Sequence, residues 1–402
     1  MGAKREVRRR IALFGLLGSG NIGNDGSLEA LVNQLTRSPG IRLCAICAGP
    51  DEIRRRFGIP AVPMTWFRLD RPPRSRVLEL ALRTIGKMVD PPRTALLLRR
   101  VDLVVVPGMG ILEDTLPLRP WGFPYALFGL TLAGRVTGTP VALVCVGATL
   151  VRNPVTRRIV RMAASMATYR SYRDNHSRDA AAAMGIDTSG DRVFSDPAFA
   201  LTLPSRNGLA APPTVAVGVL AYRGRSEDRR DGERILQSYA ARIVDLVTRL
   251  VDDGYGVRLL TGDPDDAGVA TSVREAVLDS RPALNQDCIS FTAAKSLEDL
   301  MEQILPARAV IASRYHNVLC ALRLAKPTIS IGYAEKSRVL MHDMGMREFS
   351  FNIDGFEVNQ VMCMLRLAIA ESSELESRLK AGDEACRKRL SGQWAELATL
   401  TG

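Results

Sequence analysis

Short runs of apolar residues, separated by helical patterns, recur along the whole chain and limit the folds open to it. Runs rich in Val, Ile and Leu lie at residues 11–17, 41–48, 101–106, 141–146, 214–220, 257–261, 310–312 and 328–331. Continuous rather than alternating apolar character is typical of strands covered on both faces. Helical patterns lie between them, at residues 27–36, 232–252 and 297–304 among others. This succession predicts a doubly wound α/β fold with parallel sheets.

A linker divides this pattern into two halves. Residues 206–213 carry the proline, glycine and small residues of a connecting segment. We therefore expect two Rossmann-like lobes, at residues 1–205 and 214–357, followed by C-terminal helices at 358–402. A cleft is expected where the carboxyl ends of the strands in the two lobes meet.

The charge of the chain narrows its partners. A net charge of +11 suits an anionic substrate, a nucleic acid or an anionic membrane surface. Nucleic acid is the weakest of these, because aromatic residues are only 5% and no zinc finger or RNA-binding signature is present. We therefore expect an anionic substrate and no nucleic acid partner.

The N-terminus has some features of a secretion signal. Lys4, Arg5 and Arg8 to Arg10 precede the apolar run at 11–17, but no small-residue cleavage site follows. The longest apolar stretch, residues 123–134, is shorter than the ~20 residues that span a bilayer. We predict a basic tail, a first strand and a cytoplasmic location.

A second basic region leaves two interpretations open. Prolines bracket an amphipathic helix predicted at residues 76–89. This helix either covers the sheet, with solvated arginines outside, or lies on an anionic membrane as a peripheral contact. The cations of the region are Arg68, Arg71, Arg74, Arg76, Arg83, Lys87, Arg93, Arg99 and Arg100.

The cysteines indicate buried thiols. The chain has seven cysteines, and the lone CxxC of Cys44 and Cys47 lies inside a strand-like run with no second pair at metal spacing. Free cysteine behaves as a small core hydrophobe, so we expect no metal site and a reducing compartment.

Two glycine-rich turns follow predicted strands. In the first, Gly20, Asn21, Gly23 and Asp25 precede a helix, so the turn can expose backbone N–H groups to an anion or serve only as a connector. The second turn carries Gly108 and Gly110 and leads to Asp114, which could bind a sugar hydroxyl or cap a helix.

His316 is the strongest acid–base candidate among the three histidines of the chain. It lies where a strand gives way to a helix, a position at which histidine can exchange protons with a substrate and contribute roughly 10²- to 10⁴-fold in rate. His176 and His342 fit structural or surface roles better.

Several cations should share the cleft with His316. Lys336 follows the next strand, Arg314 precedes His316 by two residues, and Arg173 ends a segment of the first lobe. Two arginines and a lysine suit a compact anion that bears carboxylate or phosphate groups. Asn317 and Tyr333, in the same turns, complete the predicted substrate-binding set.

In this order, the motifs resemble the polysaccharide pyruvyl transferase family. The matching segments are GSGNIGNDGSLEAL, PGMGILED, SYRDNHSRDAAAAMGI, FSDPAFAL and ASRYHNVLCALRLAKPTISIGYAEKSRVLMHDMGM. The resemblance implies a fold similar to the two-lobed GT-B glycosyltransferases, and a phosphoenolpyruvate donor with no further cofactor. It also implies essential roles for Arg173, His316 and Lys336, and a pyruvate ketal on a sugar of a surface glycan or its lipid-linked precursor.

Two other functions fit the same architecture. One is a glycosyltransferase that uses a nucleotide sugar, whose diphosphate would bind the same cations. The other is a non-catalytic paralogue that binds glycan, although the presence of Arg173, His316 and Lys336 together argues against it.

Overall fold

The computed structural model describes residues 9–67, 75–113, 121–205, 213–224 and 231–401. The chain divides into two compact units. The first comprises Met1–Ser19, Ser27–Ala200 and Lys388–Gly402, and the second comprises Gly20–Gly26 and Leu201–Arg387. Most of the linker predicted at 206–213 lies outside the described residues.

Strands and helices alternate up to Ala200. The strands are β1 (Arg9–Gly15), β2 (Ile41–Cys47), β3 (Ala61–Pro63), β4 (Leu103–Val106), β5 (Val141–Val146), β6 (Tyr169–Tyr172) and β7 (Arg192–Val193). The helices are α1 (Ile22–Leu35), α2 (Pro50–Phe57), α3 (Arg76–Leu98), α4 (Phe123–Thr137), α5 (Pro154–Met166) and α6 (Asn175–Ala183).

The alternation continues after Ala200. The strands are β8 (Thr214–Gly218), β9 (Gly256–Leu260), β10 (Ile289–Phe291), β11 (Ala309–Ala312), β12 (Thr328–Gly332) and β13 (Ser350–Asn352). The helices are α7 (Gly232–Asp252), α8 (Asp266–Ser280), α9 (Leu297–Ile304), α10 (Tyr315–Arg323), α11 (Glu335–Asp343), α12 (Val358–Ala370) and α13 (Ser372–Thr401). Short 3₁₀ helices lie at Pro197–Ala200, Gln286–Cys288 and Arg347–Phe349.

Both sheets are parallel and doubly wound, as the sequence predicts. The first has the order β3-β2-β1-β4-β5-β6-β7, and the second has β10-β9-β8-β11-β12-β13. Chain direction across the sheet reverses between β1 and β4 and again between β8 and β11. Ligands of such folds bind outside the carboxyl ends of the strands, at this reversal.

The buried core follows the predicted apolar runs. Every residue of β4, β5 and β11 is buried, because helices cover both faces of these central strands. The strands that the sequence did not reveal are short or polar; β6, for example, reads YRSY. Such strands are placed by their neighbours in the sheet rather than by their own hydrophobicity.

The predicted end of the second-region helix at residue 89 is wrong. Helix α3 runs through Pro91 and Pro92 to Leu98. Pro91 has no N–H to offer the Lys87 carbonyl oxygen, which instead accepts a hydrogen bond of 2.8 Å from the Tyr125 hydroxyl of α4. A side chain of the neighbouring helix thus replaces the missing backbone donor.

The first glycine turn is also shorter than predicted. Helix α1 begins at Ile22 rather than at residue 27, so Gly23 and Gly26 lie in its first turns. A Cβ at Gly26 would lie 2.2 Å from a methyl carbon of Leu297, so glycine is needed there for close packing.

Among the described residues, no helix is long and apolar enough to cross a bilayer.

Candidate active site

The strand reversal of the second unit carries the predicted acid–base residue. His316 is the second residue of α10, which starts three residues after β11 ends. Its ring lies against Gly23, where a Cβ would come within 2.0 Å of the ring nitrogen Nδ1. Gly23 belongs to the same unit, through the segment Gly20–Gly26. The absence of a side chain at Gly23 therefore makes room for the imidazole.

Arg314 is fixed beside His316 by a buried carboxylate. Its guanidinium makes two hydrogen bonds to Asp266, the second of 2.6 Å from Nη2 to Oδ1. Asp266 is fully buried and also accepts backbone N–H groups from Ala221 and Gly262. Burial opposes the charge of Arg314, but the hydrogen bonds and charge of Asp266 prevail, so its pKa is raised above the ordinary value. Arg314 therefore stays cationic.

Asn317 is a buried amide at the same strand reversal. It is fully buried, and no described residue forms a hydrogen bond with its Oδ1 or Nδ2. A Cβ at Gly218, the end of β8, would lie 2.9 Å from Nδ2, and one at Gly262 would lie 3.1 Å from Oδ1. A buried amide without partners costs about 1–3 kcal/mol, and a polar group that paired with these atoms would offset that cost.

Lys336 and Tyr333 follow the neighbouring strand β12. Lys336 is the second residue of α11, and its Nζ lies 6.0 Å from the ring centroid of Tyr315. The Tyr315 ring meets His316 edge-on, with centroids 5.1 Å apart. Tyr333 packs against Tyr222 at 5.9 Å. The structure thus links Lys336 to His316 through one aromatic ring.

The rest of the first glycine turn lies in the same unit. The Asn21 side chain donates a hydrogen bond of 3.1 Å to Asp263, and its carbonyl oxygen accepts the backbone N–H of Asn24. Gly20 has a φ of +91°, a conformation that favours glycine. Asp25 is buried in the first turn of α1. Asn21 therefore ties this turn to the loop before α8.

Arg173 lies in the first unit, among acidic side chains. Its guanidinium contacts Glu113, the Asp174 carboxylate at 3.5 Å and the Asp196 carboxylate at 3.6 Å. Only 3% of its side chain is exposed. Asp174 also caps α6 by accepting the N–H of Ser177. The role of Arg173 as an anion clamp stays a prediction; the contacts described for it are with carboxylates.

The second glycine turn packs around these carboxylates. A Cβ at Gly110 would lie 2.4 Å from the Glu113 carboxyl carbon, and one at Gly108 would lie 2.6 Å from Pro197. Gly147, after β5, leaves similar room for Glu113 and Arg173. Here the glycines accommodate protein side chains. Asp114 lies outside the described residues.

Sequence reasoning missed the acidic side chains of both sites. Asp266 is the first residue of α8, the helix that follows β9. Glu113 and Asp196 lie within the PGMGILED and FSDPAFAL motifs. Their positions inside these motifs were the available signal for Glu113 and Asp196. Nothing near Asp266 in sequence indicated its pairing with Arg314, which is 48 residues away.

Other reactive side chains are less suited to chemistry. His342 is exposed beside Asp343, and His176 lies in the first turn of α6. Burial raises the pKa of the Cys145 thiol well above its ordinary value, and the Asp196 charge adds to this. Among the described residues, no cluster of metal-ligating side chains occurs.

Solved structures with similar architecture show the fold class of the chain. UDP-GlcNAc 2-epimerase from Neisseria meningitidis bound to UDP-GlcNAc has a TM-score of 0.56 and 13% identity, over 96% of this chain and 100% of that one. The Methanocaldococcus jannaschii 2-epimerase has a TM-score of 0.59 and 11% identity, over 94% and 98%. Anabaena HepE in complex with UDP-glucose has a TM-score of 0.62 and 12% identity, over 97% of this chain and 99% of that one. The chain has the GT-B class of fold, with two parallel-sheet α/β units.

Within this fold class, the sequence also matches a family model. The family model for polysaccharide pyruvyl transferase matches residues 21–335. The chain therefore belongs to the polysaccharide pyruvyl transferase family, and the predicted family and fold are confirmed. The matched span includes the Gly23–His316 contact, the Arg314–Asp266 pair and the Arg173 cluster.

Proposed function

We propose that the protein transfers the pyruvyl group of phosphoenolpyruvate to two hydroxyls of one sugar and so forms a pyruvate ketal. Family membership over residues 21–335 carries this proposal. His316 and Arg314 follow β11, and Lys336 follows the adjacent β12, so all three lie at neighbouring strand ends of one parallel sheet. An acid–base beside two cations suits a small substrate that bears a carboxylate and a phosphate.

The reaction requires two protons to be added, one to carbon 3 and one to the departing phosphate, and two to be removed from the sugar hydroxyls. Protonation of carbon 3 turns the methylene group into a methyl group and makes carbon 2 electrophilic. One sugar hydroxyl adds to carbon 2 and loses its proton. The bond from carbon 2 to the phosphate oxygen then breaks, and the second hydroxyl closes the ring and loses its proton. Carbon 3 and the departing phosphate each gain one of the two protons that the hydroxyls lose, so atoms and charge balance.

His316 is the proposed acid–base for these transfers. Its packing against Gly23 and the edge of Tyr315 limits the ring to a narrow range of orientations. A fixed ring raises the fraction of time that a proton points at the reacting carbon. Asn317, one residue later, supplies donor and acceptor atoms that would hold a substrate oxygen.

Arg314 and Lys336 are proposed to hold the anionic groups of the donor. Arg314 keeps its charge through Asp266 but uses two guanidinium N–H groups on that carboxylate, so a donor would meet its remaining N–H groups. Lys336 offers a compact charge that can follow the departing phosphate. We expect Lys336→Ala to weaken donor binding by about 1.5–3 kcal/mol, the scale of hydrogen bonds to charged groups.

Arg173 retains a proposed role in the reaction through its matched motif. Its guanidinium contacts Glu113, which follows β4, and Asp174, which follows β6, and would hold both carboxylates in position. The acceptor is proposed to be a sugar of a surface glycan or of its lipid-linked precursor, handled in the cytoplasm. The donor brings the transferred group itself, so the proposal includes no cofactor.

The test is a reaction with phosphoenolpyruvate and a panel of free and lipid-linked glycans in heavy water. The proposal requires phosphate release that depends on a glycan, and a ketal whose methyl group carries one deuterium. Release of a nucleotide from a nucleotide sugar, without use of phosphoenolpyruvate, would replace the proposal with glycosyl transfer. The His316→Gln variant gives the background rate.

A further inference from the structure

Helices α3, α4 and α5 cover one face of the first sheet. Helix α3 connects β3 to β4, α4 connects β4 to β5, and α5 connects β5 to β6. All three connections advance in the same direction across the sheet. Because such crossovers are right-handed, the three helices lie on the same face, opposite α1 and α2. Helix α3 packs against α4, and α4 packs against α5. Their outer sides therefore form one continuous surface, which we call the α3–α5 surface.

An apolar stripe runs along the outer side of α3. Residues three or four apart in a helix share one side, and this series is exposed throughout. Its members are Val77, Ala81, Ile85, Met88, Pro92 and Leu96. Val77 is 79% exposed and Met88 is 75% exposed. Exposed apolar residues on a protein surface usually occur singly, whereas these form a continuous series. Of the arginines expected on this outer side, Arg83 pairs with Glu79, whereas Arg68, Arg71 and Arg74 lie outside the described residues.

The apolar surface continues onto α4 and α5. Leu132 and Val136 of α4 are exposed, as are Val155 and Met162 of α5. An open groove of about 490 Å³ lies between the two helices. It is lined by Trp121, Tyr125, Phe128, Pro154, Val155, Arg158, Ile159 and Met162. Apart from Arg158 these side chains carry no charge, so the groove is suited to a hydrocarbon chain.

Basic residues outnumber acidic ones on the same three helices. The three helices carry eight basic side chains and two acidic ones. Both acidic groups are engaged within the unit: Glu79 pairs with Arg83, and Asp90 accepts the backbone N–H of Trp66 at 2.7 Å. Helix α5 alone carries Arg157, Arg158 and Arg161 with no acidic residue. The α3–α5 surface is thus both apolar and strongly positive.

We propose that the α3–α5 surface docks on an anionic lipid bilayer. Apolar side chains enter the boundary between headgroups and acyl chains, and the surrounding cations meet the lipid phosphates. Trp121 is exposed at the end of the groove, and tryptophan favours this boundary. A second copy of the chain fits less well, because two surfaces of the same charge would face each other. The inference does not depend on the reaction proposed above.

The full-length protein can be tested by co-sedimentation with vesicles of phosphatidylcholine alone or mixed with phosphatidylglycerol. We expect much stronger binding to the mixed vesicles. High salt should weaken it without abolishing it, because salt screens the cations but leaves the apolar contacts in place. Emission from Trp121, with Trp66 and Trp394 changed to Phe, should shift to shorter wavelength on binding.

Matched substitutions separate the surface from a general effect. Met88→Glu and Val155→Glu should each lower the vesicle partition constant by roughly tenfold or more, because a charge replaces an inserted apolar group. Leu367→Glu is the control, since Leu367 is also exposed but lies on α12 of the second unit. It should bind as the wild type does.

Three results would overturn the proposal. They are no binding of the wild type to mixed vesicles, equal losses in Leu367→Glu and Met88→Glu, and a dimer in solution that Met88→Glu dissociates. The last would assign the surface to a second copy. Since Met88, Val155 and Leu367 are exposed, unchanged circular dichroism and thermal unfolding should accompany the three glutamate variants.

Discussion

Arg173 in the first unit and Arg314 in the second both follow a strand of a parallel sheet, yet their surroundings differ. Three carboxylates contact Arg173, and its side chain is 3% exposed. One carboxylate, Asp266, pairs with Arg314, which is 21% exposed and lies near Asn317, an amide that no described residue completes. The first arginine has its charge compensated within the protein, whereas the second retains groups that a ligand can use.

This difference separates two functions of a buried cation. A cation among several acidic groups stabilises its own unit, because removing it leaves charges buried and unpaired. A cation held by one carboxylate is oriented for an incoming anion. We infer that Arg173 mainly orders the strand ends of the first unit and that the chemistry is centred on the second unit.

The largest expected effect is the loss of Arg173. Arg173→Met should destabilise the first unit by about 3–5 kcal/mol, since it leaves buried carboxylates without their partner. All three tryptophans lie in that unit, so their fluorescence during urea unfolding reports it alone. Arg314→Met is the matched control and should leave the tryptophan transition unchanged. Equal shifts in the two variants would remove the distinction between the arginines.

His316→Gln should lower turnover by about 100-fold or more, because it removes a proton donor of that typical worth. The tryptophan transition and the affinity for phosphoenolpyruvate, measured by calorimetry, should change little. The control is His342→Gln, at an exposed histidine of the same unit. Turnover of His316→Gln near that of the control would exclude His316 from the reaction.

Asn317→Leu should have opposite effects on stability and binding. Replacing a buried amide without partners by an apolar group of similar size should raise the stability of the second unit by about 1 kcal/mol. The affinity for phosphoenolpyruvate should fall by roughly tenfold, the value of one or two hydrogen bonds. Far-UV circular dichroism and calorimetry measure the two effects. A more stable protein with unchanged affinity would show that Asn317 does not contact the donor.

A smaller effect is expected from Gly23→Ala. The added methyl group would overlap the His316 ring, so the ring must move and turnover should fall by roughly tenfold, as for other small displacements of a catalytic group. Gly268→Ala is the control: Gly268 lies in α8 with open space around it, and the change should stabilise that helix by about 0.5–1 kcal/mol. If both variants keep wild-type turnover, the contact of His316 with Gly23 has no role in catalysis.

The parts of the fold with strong periodicity could be predicted from the sequence. Helices α7 (Gly232–Asp252) and α9 (Leu297–Ile304) have the predicted bounds, and the central strands lie on the predicted apolar runs. These segments carry their own signal, because their apolar residues recur with the period of the element. The prediction was wrong where a distant residue decides the structure. In α3, Tyr125 of another helix supplies the donor that Pro91 lacks, and nothing in the local sequence indicates this contact.

The candidate site divides in the same way. Residues at strand ends, such as His316 and Lys336, could be found because the carboxyl ends of neighbouring parallel strands lie together. The carboxylates that partner the arginines could not, since Asp266 and Arg314 are distant in sequence and no local pattern links them. Asn317 has no hydrogen-bond partner among the described residues. This depends on the positions of residues that are distant in sequence, so no local pattern predicts it.

The chain returns from the second unit to the first at Lys388, and this affects how the protein folds during synthesis. Residues Lys388–Gly402 complete the first unit, where Gln393 and Glu396 bond to the hydroxyls of Ser171 and Tyr169. These side chains leave the ribosome after the second unit, so the first unit cannot reach its final packing until the second has been translated. Contacts across more than 200 residues close slowly, and partly folded intermediates of such chains expose apolar surface. A nascent chain that stops short of Lys388 should therefore depend on chaperones and be sensitive to proteases.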